Sequence, residues 1–232
     1  MRRGIFKGIQ LSVFPEFHLH LIYRNIEPDF QKILKKYISE GDTVFDIGAN
    51  IGYVSVVLSK LVGDKGKVFS FEAIPHTSTE FLVNININNC SNITLIQKAL
   101  SNENKKVTFR IPDGGTNHSM ASMVWHKKED DTINVEVDSI ILDEDKDLKH
   151  LSPSFIKIDV EGSEGMVISG MKELISREKP IIYIECSNRG RETVWNTLKD
   201  LNYSCYFTSN NEEVVLDYDQ YRHNDFLWRV NS

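Results

Sequence analysis

Val44-Phe45-Asp46-Ile47-Gly48-Ala49-Asn50-Ile51-Gly52-Tyr53-Val54-Ser55-Val56 is the stretch whose reading decides the fold. A short apolar run (Val44, Phe45, Ile47) ends in a segment carrying Gly48 and Gly52, and an amphipathic run begins at once. That order reads as strand, glycine-bearing turn, helix. Glycine is needed where backbone takes a positive φ or comes close to a ligand. The following helix start offers unpaired N–H groups and a partial positive charge. The turn is therefore built to hold something polar.

The same alternation extends outward. Before the turn, Glu27 to Ser39 reads as a helix, with Pro28 near its start, Phe30, Ile33, Leu34, Tyr37 and Ile38 on one face, and Gly41 as its stop. After it come a helix from about Gly52 to Val62, a strand Lys67 to Phe71, a helix from Pro75 to about Asn88, and a strand Ile93 to Gln97. Strands alternating with helices predict a parallel sheet with right-handed crossovers. Residues 101–150 break the rhythm. Lys106 to Ile111 and Ile133 to Ile140 read as strands flanking a polar loop, an insertion at the mouth of the sheet, and Asp143 to Lys149 is charged and expected to be exposed. The alternation then resumes: strand Phe155 to Val160, helix Ser163 to Ile175, strand Pro180 to Cys186, helix Arg191 to Leu201, strand Tyr203 to Thr208, and a final strand Phe226 to Val230 with an antiparallel setting open to it. The fold class is α/β, with one domain over residues 41–232 and an N-terminal extension and helix over 1–40. Phe17 to Leu21 alternates like a strand, which Pro15 keeps off a central position. This extension either packs on the domain or covers the substrate side of the site.

The bulk numbers bound the function. The chain has 232 residues, 41% hydrophobic and 26% charged, which is ordinary globular composition. A net charge of -6 implies no broad cationic face, so nucleic acid is excluded as a first partner, and Lys35-Lys36 reads as a solvated helix face. Three cysteines (Cys90, Cys186, Cys205) with no C-x-x-C pair argue against a disulfide framework and a zinc ribbon; a reducing, cytoplasmic setting is the simplest, and the thiols read as small buried apolar groups. The basic N-terminus is followed by no long apolar stretch, so neither a secretory signal nor a membrane span is expected there.

Three pieces fall at the carboxyl ends of strands, where open parallel sheets bind ligands. They are Asp46-x-Gly48-x-Asn50-x-Gly52, Glu72, and Asp159-Val160-Glu161-Gly162. A carboxylate such as Glu72 suits the two hydroxyls of a ribose, each a hydrogen-bond donor. That fits a nicotinamide dinucleotide or S-adenosylmethionine (SAM). The first turn separates them. A dinucleotide fingerprint is G-x-G-x-x-G around a pyrophosphate, whereas here the spacing is G-x-x-x-G behind an acid, Asp46. A carboxylate repels a pyrophosphate and attracts the ammonium or sulfonium of an aminoacyl nucleoside, so the residues favour SAM over NAD.

These stretches, together with Phe69-Ser70-Phe71-Glu72-Ala73-Ile74-Pro75, Gln97-Lys98-Ala99-Leu100-Ser101 and the run Phe155 to Met171, resemble the FkbM family of SAM-dependent methyltransferases over about residues 40–186. The resemblance implies a Rossmann-like class I methyltransferase with a seven-stranded, mostly parallel sheet, an antiparallel last strand and helices on both faces. It implies O-methylation of a hydroxyl, most often on a sugar of a glycan or glycosylated metabolite, or on a polyketide. By matching position, Asp46, Gly48, Asn50 and Gly52 line the methionine and ribose part of the cofactor. Glu72 holds the ribose hydroxyls, Gln97, Lys98 and Ala99 frame the adenine, and Asp159 and Glu161 face the reacting end. Ala73 stands where the family commonly has proline.

Methyl transfer from a sulfonium is an in-line displacement, and an alcohol acceptor must lose its proton. Candidates for the base are Asp159, Glu161, Glu185 and His118. Converging acids raise one another's pKa, or hold Mg2+ through oxygen ligands. Ser119 is placed to touch the cofactor carboxylate, and Tyr53 to pack on the cofactor. Other readings stand beside these. The glycines serve as turn and packing residues, Glu161 caps the helix near Ser163, Lys157 sits in an ion pair within the sheet, His118 is simply exposed, and Trp125 and Trp228 are core. An NAD-linked oxidoreductase and a cofactor-binding protein without turnover are the alternative functions. Specificity for the acceptor is expected in residues 1–26 and the 112–130 loop.

Overall fold

The computed structural model describes residues 4–12, 28–112, 132–186, 188–208, 213–217 and 225–231. Strands β1 (Thr43–Ile47), β2 (Lys67–Phe71) and β3 (Ile93–Ile96) are separated by helices α2 (Tyr53–Val62) and α3 (Pro75–Ile87), with α1 (Pro28–Tyr37) ahead of them. A short β4 (Ala99–Leu100) and the hairpin strands β5 (Lys105–Pro112) and β6 (Thr132–Ile140) follow. Then come β7 (Phe155–Ile158), α4 (Glu164–Ser169), α5 (Lys172–Glu178), β8 (Ile181–Glu185), α6 (Asn188–Asp200), β9 (Tyr203–Phe207) and β10 (Asp225–Val230).

Seven strands form one sheet in the order β3-β2-β1-β7-β8-β10-β9. Every neighbouring pair is parallel except those of β10, which runs antiparallel to both β8 and β9. The order reverses at β1, whose neighbours are β2 and β7, so the carboxyl ends of these three strands open the crevice expected of such sheets. The remaining strands form a separate sheet, β4-β6-β5. The insertion read at 101–150 is this hairpin; the loop between its strands, with His118, Ser119 and Trp125, lies outside the described residues, as do residues 13–27 with the alternating Phe17 to Leu21 segment.

Alternation along the central strands sends side chains to two layers. Phe45, Ile47, Ile156, Ile158, Ile182 and Ile184 pack with Val167, Ile168, Leu174, Val194 and Leu198 of α4, α5 and α6 on one face. Val44, Val68, Phe155 and Leu227 pack with Phe30, Ile33 and Leu34 of α1 and Val56, Val57 and Leu58 of α2 on the other. Phe6 and Ile9 of the N-terminal segment are buried in that second layer. The segment is tied to α3 by paired bonds: Asn88 donates to the Gln10 carbonyl while its Oδ1 accepts from Gln10 N, and Asn84 does the same with Ser12. Trp228 is 2% exposed, a core residue as read.

The single helix read over Ser163 to Ile175 is two. The chain breaks at Gly170-Met171 because Gly170 lies against the backbone of Ser101; a Cβ there would be 1.9 Å from the Ser101 oxygen. The second helix starts on a distant cap, since Asp143 accepts from the amides of Glu173 (2.7 Å) and Leu174 (2.9 Å). Asp143, expected to be exposed, is thus held at a helix terminus. Among the described residues no helix is long and apolar enough to cross a membrane.

Candidate active site

The site is built where β1, β2 and β7 end. Gly48 and Ala49 both donate to the Phe71 carbonyl (3.0 Å each), which ties the first turn to the end of β2. Gly48 has φ 75°, and a Cβ on it would sit 1.8 Å from the Asp159 carbonyl oxygen. Its freedom is needed to let the β7 chain pass. Gly52 has φ 82°, and a Cβ on it would sit 2.8 Å from the Phe81 ring. Both glycines therefore answer to protein packing, while the Gly48 backbone also lines the crevice.

That crevice encloses about 680 Å3, counting the part open to solvent. Its floor is Ile47, Gly48 and Asn50; one wall is Phe71 to Ile74 with Lys98, Ala99 and Leu100; the other is Asp159, Val160, Glu161 and Ser163. Phe109 enters from the hairpin strand β5.

Glu72 is 9% exposed. Its Oε2 accepts from Asn50 N (3.0 Å) and its Oε1 from Ile74 N (2.8 Å). Each oxygen keeps a lone pair for a further donor. Burial raises its pKa to about 7, against the lowering pull of those two amides and of Lys157. The Glu161 residue stands at the solvent-accessible rim. Desolvation of its carboxyl, and then the charges of Asp159 and Glu164, hold it above the ordinary carboxylate value, while Lys157 works the other way.

Asp46 is placed differently from the reading above. It is fully buried and does not line the crevice. Its side chain belongs to a polar row across the α2 face of the sheet, where Ser70, Asp46 and Lys157 are register partners on adjacent strands. Ser55 donates to Asp46 Oδ2 at 2.5 Å, and Lys157 Nζ lies 3.4 Å from Asp46 Oδ1. The same ammonium is 3.4 Å from Asp159 Oδ2 and donates to the Gly48 carbonyl at 3.0 Å. Burial opposes the charge of Lys157, but Asp159 and Asp46 overcome it and keep the ammonium above its usual range. The ion pair read for Lys157 is thus present. The acids that line the crevice are Glu72, Asp159 and Glu161, whereas Asp46 is buried away from it against Ser55 and Lys157.

Tyr53 also points elsewhere: its ring stacks on Phe6 with centroids 4.6 Å apart, and it is not among the crevice-lining residues. Gln97 and Gly52 do not line the crevice, whereas Lys98 and Ala99 do. Glu185, at the end of β8, pairs in register with Asp225 and stands outside the crevice. His118 and Ser119 lie outside the described residues. Three residues were missed. Phe109 is delivered by the hairpin, with no local signal. Ser163 is buried with an Oγ that has no hydrogen-bond partner among the described residues. Glu164 is buried, and its signal was present in the second acid of Glu161-Gly162-Ser163-Glu164. Among the described residues, no three His, Cys, Asp or Glu side chains gather in a group able to hold a metal ion.

The strand order, the single reversed strand and an acid-lined crevice at the switch point define a Rossmann-like class I methyltransferase fold. The chain belongs to the FkbM methyltransferase family, whose "Methyltransferase FkbM domain" matches residues 46–211. A solved FkbM methyltransferase from Methylobacillus flagellatus is similar with a TM-score of 0.50 and 22% identity, over 83% of this chain and 44% of that one. A SAM-dependent O-methyltransferase from Thermotoga maritima has a TM-score of 0.54 at 14% identity, over 93% and 71% of the two chains. At such identities the likeness is one of fold. A protein-L-isoaspartate O-methyltransferase of Fervidobacterium nodosum is 39% identical over 59 residues, 25% of this chain and 30% of that protein. The match thus spans under a third of that curated relative's length.

Proposed function

We propose that the chain is a SAM-dependent O-methyltransferase whose acceptor is a hydroxyl, most readily a sugar hydroxyl of a glycan or glycosylated metabolite, acting in the cytoplasm. The observation that carries this is Glu72, a buried carboxylate at the end of β2 that lines the crevice, its two oxygens each accepting from one backbone amide and each keeping a lone pair for a further donor. That is the pair of acceptors the two hydroxyls of a ribose diol require.

The residues present fit the cofactor. The unpartnered Ser163 Oγ lines the crevice and offers a hydrogen bond. Ile74, Ala99 and Leu100 supply an apolar wall for adenine, with Lys98 beside it. Asp159 and Glu161 place negative charge where an ammonium and a sulfonium belong. When bound, SAM supplies an electrophilic methyl group. Of the four candidates for the base, Glu161 is favoured: it reaches the crevice, and its raised pKa makes it a stronger proton acceptor from an alcohol. Asp159 is engaged with Lys157, which suits charge placement more than proton transfer. The sugar acceptor rests on the family resemblance, and NAD is disfavoured because Asp159 and Glu161 would face its pyrophosphate.

The test is calorimetric titration with SAM and, separately, NAD, followed by a mass-spectrometric screen for a gained methyl group. The screen covers candidate sugars, with an isoaspartyl peptide as a carboxyl acceptor, each with and without chelator to read Mg2+ dependence. SAM binding with methylated sugar is expected; binding of NAD in its place would overturn the reading.

A further inference from the structure

Glu161 and Gly162 take consecutive positive φ values, 51° and 98°. For glycine this is easy, but a side-chain-bearing residue is disfavoured there. Glu161 must therefore be kept in place by its surroundings. Glu164, in the first turn of α4, is tied to this bend: its Oε1 accepts from Gly162 N at 2.7 Å. Glu164 is 1% exposed and does not line the crevice. Its second oxygen, Oε2, is buried without a hydrogen-bond partner among the described residues. Space for it exists because residue 190 is glycine; a Cβ there would lie 3.0 Å from Oε2. Burying a carboxylate with one oxygen unpartnered is expensive, and a neutral cap would satisfy the same amide with less penalty. The Ser163 side chain makes no cap bond. Glu164 is thus an acid bonded within this turn, while Glu161 lines the crevice.

We infer that Glu164 is a positioning residue: through the Gly162 amide it locks the left-handed bend that presents the Glu161 carboxylate to the reacting end of the crevice. This rests on the reading of that crevice as a SAM site. Glu161 is in turn acted on by the charges of Lys157, on β7, and of Asp159, just after it, so the setting of the bend bears on the charge it presents to the ligand.

The experiment titrates SAM and S-adenosylhomocysteine into the wild type, E161A, E164A, E164Q and E161A/E164A, and follows the Gly162 amide in nitrogen–proton spectra without ligand. E161A and E164A are each expected to weaken SAM about tenfold, the worth of one charge-assisted contact, and the double variant no further. S-adenosylhomocysteine, which lacks the sulfonium charge, is expected to lose less. E164Q keeps an amide oxygen for Gly162 and is expected to stay within about threefold of the wild type. Additive losses in the double variant, equal losses for both ligands, or an E164Q as weak as E164A would overturn the inference. An unmoved Gly162 resonance in E164A overturns it whatever the titrations show. Failure of the wild type to bind SAM, with the resonance moved in E164A, instead removes the reading of the crevice and leaves the bend's support standing.

Discussion

Replacing Glu72 with glutamine tests the centre of the site, because the structure gives the magnitude and the sign. The carboxyl is buried, its folded pKa is about 7 and its ordinary value is 4.5. Between those values the folded protein binds more protons than the unfolded chain, so the Glu72 contribution to stability is complete below pH 4.5 and is lost as pH rises through about 7. The linkage relation puts the loss at about 2 kcal/mol between pH of about 5.5 and about 8. Glutamine abolishes this slope and leaves either Asn50 N or Ile74 N without an acceptor, a penalty of about 1–3 kcal/mol at any pH. Urea unfolding of both proteins across this range should therefore show the wild type's advantage shrinking by about 2 kcal/mol as pH rises. Cofactor binding should run the opposite way. The diol needs the ionised form, so wild-type SAM affinity should rise about tenfold from pH of about 6 to about 8, and that rise should vanish in E72Q. Parallel stability profiles for the two proteins would refute the reasoning, since they would mean the carboxyl titrates as it does in water.

The other predictions address the framework. Lys157→Met leaves the buried Asp46 and its neighbour Asp159 without their cation; a loss of about 3–5 kcal/mol is expected in urea unfolding, recovered in part by adding Asp46→Asn. Gly48→Ala drives a Cβ into the Asp159 carbonyl at a positive φ; it should lower stability by more than about 3 kcal/mol and abolish SAM binding in calorimetry. Glu185→Ala, outside the crevice, should leave the SAM dissociation constant within about twofold of the wild type, and a larger change would return Glu185 to the site.

Hydrophobic period and turn residues are local properties, and what depends on them was legible. β1 and β2 run where the apolar alternation places them, and the glycine turn joins strand to helix as read. Glu72 could be placed because the residue just past the carboxyl end of a parallel strand has a known relation to the crevice. The antiparallel β10 was open as a possibility and is present.

The sequence by itself thus determined the alternating α/β order, the crevice-bearing turn and the acids that follow β2 and β7, since each is written within a dozen residues. Tertiary structure alone decided which of those acids meets the crevice. Period-two alternation says that Asp46 and Ile47 face opposite layers, but not that a lysine from β7 stands opposite Asp46 and takes up its charge. The lysine that donates to the Gly48 carbonyl is 109 residues away in sequence. In the same way Phe6 claims Tyr53, Ser101 breaks the helix at Gly170, and a hairpin brings Phe109 to the rim. Each of these partners is distant along the chain, and close approach between distant residues is a property of packing rather than of local pattern.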